Sequence, residues 1–82
     1  MYIELVTPEQ VVYEGQVEVV TLPGTEGSFQ IMNNHAPIIS SLKEGELVIK
    51  IEKEERFFQV SGGVVEVLQN KVMVLTEKAE EN

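Results

Sequence analysis

This sequence predicts an all-β fold, a sandwich or a small barrel. Three observations carry that expectation. Nine short runs rich in β-branched and aromatic residues follow one another along the chain. Turn residues stand between them, and no segment sustains apolar periodicity at 3.6 residues. Eighty-two residues make one domain. At this size a chain buries only about 60% of its unfolded surface, so the core is small.

The runs are justified in order. Tyr2–Val6 alternates, with Ile3 and Leu5 on one face and Tyr2 and Glu4 on the other. Pro8 breaks it, because proline cannot donate to a ladder. Residues 10–14 make a short strand, and Gly15 permits a turn or bulge after it. Residues 16–22 shift phase: Val17 and Val19 share one face, then Val20 and Leu22 take the other. That shift predicts a strand leaving one sheet for another. Residues 27–32 place Phe29 and Ile31 together, and residues 38–42 make a strand of mixed burial.

Residues 46–53 alternate most cleanly, with Leu47, Ile49 and Ile51 inward. Glu54-Glu55 is expected at the hairpin tip, and residues 56–60 return with Phe58 and Val60 inward. Ser61-Gly62-Gly63 bends the chain. Residues 64–68 then carry apolar side chains on both faces except at Glu66. Gln69-Asn70 turns tightly, with Asn70 suited to positive φ, and residues 71–76 close the sheet with Val72 and Val74 inward. The domain is expected to span residues 1–76, and the polar tail 77–82 to fray.

Composition excludes several functions. The net charge of -8, from 14 acidic and 6 basic residues, repels nucleic-acid phosphates and anionic lipid heads. It accommodates a basic protein partner. There is no cysteine for a disulfide or a thiolate metal site. No run approaches the roughly 20 apolar residues of a membrane span, and no signal-peptide pattern opens the chain.

Catalytic chemistry finds little support. His35, the single histidine, has no nucleophile or carboxylate spaced for a triad. A turn histidine bonded to backbone, or an interface residue, is the better expectation. Residues 24–29 lack the Lys-Ser/Thr of a phosphate loop, and Glu26 would repel phosphate. Ser61-Gly62-Gly63 lacks the flanks of a nucleophile elbow. Glu44, Glu46, Glu52, Glu54 and Glu55 read as a solvated face rather than an acid/base pair. No enzyme activity, cofactor or metal is expected.

The most informative stretch is Leu22–Ile38, which holds two of the three prolines, two of the six glycines and His35. Its Pro23-Gly24, then Gly27, Phe29-x-Ile31 and His35-Ala36-Pro37-Ile38 resemble the epsilon subunit of F-type ATP synthases, in its N-terminal β-sandwich domain. Ser61–Val67 and Val72–Thr76 running to Ala79 agree, in order, across nearly the whole chain. Two departures stand out: Gln30 replaces a usual glycine, and Asn33-Asn34 replace a frequent Pro-Gly. Asparagine tolerates a left-handed backbone, so Asn34 can serve as the turn residue.

The resemblance implies a two-sheet β-sandwich of about nine or ten short strands. It implies a non-catalytic central-stalk subunit that couples gamma to the membrane c-ring during proton-driven ATP synthesis. The partners it implies are therefore gamma and the c-ring, in a hetero-oligomer, with no nucleic acid and no direct membrane insertion. The place it implies is peripheral, on the cytoplasmic face of a bacterial inner membrane. By position, Glu26, Gly27, Ser28 and Phe29 match the turn that faces the c-ring. His35, Ala36, Pro37, Ser40 and Ser61 match positions on the side of gamma. The family commonly adds a helical hairpin that this sequence does not contain, so a chain complete at Asn82 is expected to lack that brake. The competing expectation is a ligand- or carbohydrate-binding sandwich, which would use Tyr2, Tyr13 and Phe57, scattered in sequence.

Overall fold

A computed structural model describes residues 1–82. All ten regular elements are strands: β1 (Tyr2–Val6), β2 (Val11–Gln16), β3 (Val19–Gly24), β4 (Gly27–Met32), β5 (Ile38–Leu42), β6 (Gly45–Ile51), β7 (Glu54–Val60), β8 (Gly63–Leu68), β9 (Lys71–Leu75) and β10 (Ala79–Glu81). Hydrogen bonding runs β10-β7-β6-β3-β5-β8-β9-β1-β2, with β4 on the free side of β3. One residue pair, Gly24 with Leu42, joins β3 to β5. The ladder therefore folds there into two layers of five strands, β4-β3-β6-β7-β10 and β5-β8-β9-β1-β2. Only β1 and β9 pair in parallel.

The two layers enclose sixteen buried apolar residues. Alternation supplies them: Ile3 and Leu5, Leu47 and Ile49, Phe58 and Val60, Val65 and Val67, Val72 and Val74. These are the inward positions the period-two pattern indicates. The expected passage between sheets near Val17 is present. The strand stops at Val17-Glu18, where Val17 N–H donates to Met1 O at 2.8 Å and Glu18 N–H to Lys50 O at 2.9 Å. Gly15 is not the turn. It lies inside β2 opposite Ile3, and the chain turns two residues later.

Two other expectations are corrected. The β6–β7 tip is Glu52-Lys53, since Ile51 already pairs with Glu54. Glu52 takes φ 54°, and its N–H donates to Glu18 Oε1 at 2.8 Å. The expected frayed tail contains a tenth strand. Ala79–Glu81 pairs with Val60–Phe58 along the edge of β7.

Candidate functional site

The β3–β4 hairpin carries the residues with most at stake. Its tight end is Gly24–Gly27, and Gly24 has no room for a side chain. A Cβ there would sit 2.6 Å from Gly27 O and 2.7 Å from the Phe29 ring. Gly27 adopts φ 131°, a backbone that glycine favours. Thr25 N–H donates to Ser41 O at 3.2 Å and Lys43 N–H to Pro23 O at 2.9 Å, which binds the turn to β5. Glu26, Gly27 and Ser28 are thus held outward on a braced turn, all exposed, while Phe29 is half-buried against the core.

The hairpin then runs six residue pairs to Val19 and Met32. At about 3.4 Å per residue, its far end lies roughly 17 Å from the turn. His35, Ala36 and Pro37 occupy that far end. His35 N–H donates to Met32 O at 3.1 Å, and its Nδ1–H donates to Ala36 O at 2.7 Å. This is a turn histidine satisfied by backbone. Asn34 takes φ 62° in place of the turn glycine. An asparagine cluster holds the loop: Asn34 N–H donates to Asn70 Oδ1 at 2.8 Å and Asn70 Nδ2 to Asn33 Oδ1 at 2.9 Å.

The candidate residues do not form one patch. Ser40 borders the shallow hollow formed with Gly24–Phe29, beside the Glu26 turn rather than beside His35. Ser61 stands near the Glu26 end as well, in a clasp that leads the chain into β10. Its N–H donates to Lys78 O at 3.0 Å, its Oγ accepts from Lys78 N–H at 3.0 Å, and Oγ lies 3.2 Å from Thr76 Oγ1. Gln30, the departure from the usual glycine, points outward from β4, with Nε2 donating to Thr21 Oγ1 at 3.3 Å.

The outer side of the β5-β8-β9-β1-β2 layer holds residues that local reasoning did not assemble. Val64 pairs with Leu75, Leu75 with Val6, and Val6 with Val11. One row along, Glu66, Met73, Glu4 and Glu14 are neighbours in the same way. Lys71 Nζ lies 2.7 Å from Glu4 Oε1, and Tyr2 OH donates to Glu14 Oε2 at 3.1 Å. The bond to Glu4 raises the Lys71 ammonium pKa above its usual value. Partial burial, then Glu14, raises that of the Tyr2 phenol. The signal in the sequence was residues 64–68, apolar on both faces except at Glu66.

No buried side-chain nitrogen or oxygen lacks a hydrogen bond, and no group of three or more His, Asp or Glu gathers to hold a metal ion. Tyr2, Tyr13 and Phe57 stay apart: Tyr2 on the outer face of one layer, Phe57 on the other layer, and Tyr13 turned inward against Phe58.

A family model described as the β-sandwich domain of the ATP synthase delta/epsilon chain matches residues 1–82. An ATP synthase epsilon chain of Chlorobium limicola is 42% identical over 76 residues, covering 92% of this chain and 86% of the relative. One of Brevibacillus brevis is 46% identical over 81 residues, covering 98% of this chain and 61% of the relative. The chain thus spans about three fifths of some curated relatives and most of others. Among solved structures, a chain of the Euglena gracilis mitochondrial ATP synthase superposes with a TM-score of 0.91 at 21% identity, over 96% of this chain and 51% of that one. A chain from the central stalk and c-ring of the Tetrahymena thermophila mitochondrial ATP synthase gives 0.83 at 21%, over 96% and 64%. At that identity the likeness shows the fold.

Proposed function

Because this chain belongs to the β-sandwich family of ATP synthase delta and epsilon chains, we propose that it is a central-stalk rotor subunit that couples gamma to the membrane c-ring in an F-type ATP synthase. The observation that carries this is the 42–46% identity to epsilon chains over nearly the whole length. The site geometry is compatible. A braced, outward turn with a carboxylate at Glu26 suits the basic polar loops of a c-ring. Such complementarity sets register and partner choice more than affinity.

The role is mechanical rather than chemical. His35 is engaged by backbone and has no nucleophile in hydrogen-bond contact, so nothing poises it for acid/base work. The place is peripheral, on the cytoplasmic face of a bacterial inner membrane. No helix in the structure is long and apolar enough to cross a bilayer. Glu26, Gly27, Ser28 and Phe29 are assigned to the c-ring contact. His35, Ala36 and Pro37, with Ser40 and Ser61, are assigned to the gamma side.

Co-expression with the gamma subunit of the same genome tests the coupling. A one-to-one complex that persists at high salt is expected if an apolar interface dominates. A folded chain that forms no complex at either salt would overturn the proposal. For the c-ring contact, Glu26→Lys combined with Ser28→Arg should weaken attachment of the gamma-bound subunit to the ring. Unchanged assembly would remove that assignment.

A further inference from the structure

β4 is a bare sheet edge. It pairs with β3, and no strand lies on its other side. Such an edge offers its backbone to a further strand, and proteins blunt edges with charge, proline, bulges or brevity. The other edges of this fold are blunted. β10 is three residues long and carries Glu80 and Glu81. β2 carries Glu14, and its register against β1 slips at Val6. β5 opens directly after Pro37 and is closed at its other end by the Gly24–Leu42 pair and by Thr25 N–H, which donates to Ser41 O. β4 has six residues, Gly-Ser-Phe-Gln-Ile-Met, with no charge, no proline and no break in register.

The register fixes which backbone groups face the open side. Pro23 O accepts from Lys43 N–H, on the side of β3 away from β4. Pro23 and Ser28 are therefore opposite without bonding each other, and alternation repeats this at Thr21–Gln30 and Val19–Met32. Ser28, Gln30 and Met32 thus turn N–H and C=O outward along the edge, and all three residues are exposed. The Met32 carbonyl also accepts His35 N–H and keeps a second lone pair.

We propose that two copies of this chain pair through β4, antiparallel about a two-fold axis at Gln30. Ser28 of each copy then lies opposite Met32 of the other, and Gln30 opposite Gln30. Each of these pairs exchanges both backbone bonds. On the inner side Phe29 meets Ile31. The edge is its own complement in this register: small Ser28 stands against long Met32, and Glu26, the charge next to the strand, falls opposite neutral Asn34. Two copies at -8 repel as wholes, but the strips that meet are neutral. The dimer goes beyond the rotor proposal and does not depend on it. Under that proposal β4 carries Ser28 and Phe29 of the c-ring contact, so the dimer is a form of the unassembled chain.

The test is sedimentation of the purified chain over a concentration series from micromolar to millimolar, at low and high salt, with folding of each variant verified by circular dichroism. The parent should pass from monomer to dimer, and more readily at high salt, where the repulsion between copies is screened. Amide hydrogen exchange at Ser28, Gln30 and Met32 should slow as the dimer fills. Gln30→Pro removes the donor on the axis without touching a bond to β3, and should weaken the dimer about tenfold through the two bonds lost. Gln30→Lys sets like charges opposite one another and should weaken it about threefold or more at low salt, although it lowers the net charge. Gln59→Lys makes the same charge change on the outer side of β7 and should dimerise at least as well as the parent. A parent that stays monomeric throughout the series overturns the proposal. So does a dimer that survives Gln30→Lys unchanged or leaves exchange at the three amides unaltered, since another surface would then be holding it. If Gln30→Pro fails to fold, Gln30→Lys and the exchange measurement decide.

Discussion

Arg56 shows how much one side chain can hold in so small a fold. Its Nε donates to Glu81 Oε2 at 2.7 Å and its Nη2 to Glu81 Oε1 at 2.6 Å. Its guanidinium lies 4.7 Å from the Tyr13 ring centroid and 6.0 Å from that of Phe58. A planar fork can pair with a carboxylate and stack on a ring at once, which a lysine cannot. Arg56 therefore fastens β10 to β7 and leans on β2 of the other layer. The pairing holds the Glu81 carboxyl below the ordinary value of 4.5. A carboxylate depressed in the folded state stabilises fully above its unfolded value and loses that contribution as pH falls through its folded value. Glu81→Gln should therefore melt below the parent at neutral pH. The gap should close as pH drops from about 4.5 downward, read by thermal melts across the acid range. Arg56→Lys should lower the melting temperature at neutral pH as well.

At the scale of elements, the turns impose the sharpest constraints. Gly63 opens β8 at φ 129°, and a Cβ there would fall on the Leu75 carbonyl oxygen of the adjacent strand. Backbone cannot yield as a flexible side chain does. Gly63→Ala should cost about 3 kcal/mol or more, measured by urea unfolding. Glu52 presents the opposite case. It holds φ 54° at the β6–β7 tip, a conformation that penalises a non-glycine residue by about 1 kcal/mol. Glu52→Gly keeps the N–H that Glu18 accepts and relieves that penalty. The freer unfolded chain returns part of the gain. A net stabilisation of about 0.5 kcal/mol is expected in the same unfolding measurement.

At the scale of the molecule, a sixteen-residue apolar core supports the whole structure. A chain of this length has a stability of about 4–12 kcal/mol. Phe58 is the largest fully buried side chain, tilted against Tyr13 with ring centroids 5.8 Å apart. Phe58→Ala should cost about 3–5 kcal/mol, a large share of that total. The variant should show the lowest unfolding midpoint of those named here. In the rotor proposal it should also fail to co-purify with gamma at temperatures where the parent does. The cause would be loss of the folded state rather than of a contact, and circular dichroism separates the two.

Much of this was legible in the sequence because it is local. Alternation in residues 46–53 and 71–76 depends only on neighbours two apart, and it placed Leu47, Ile49, Val72 and Val74 inward. Turn chemistry is local too, so Asn34 and Asn70 were recognisable as positive-φ residues. The ordered motifs from Pro23 to Ala79 carried the family, since they report a shared backbone shape. The tertiary structure decided what depends on register between distant strands. Glu81 meets Arg56 across 25 residues, which made a strand of a stretch that by itself has too little apolar surface to order. Parallel pairing of β1 with β9 brings Val6 beside Leu75 and makes a row of residues that look unrelated along the chain. The single Gly24–Leu42 pair folds the ladder over, and so places Ser40 with the Glu26 turn and away from His35. Side-chain direction follows from the alternating backbone, but side-chain company follows from how the strands are ordered.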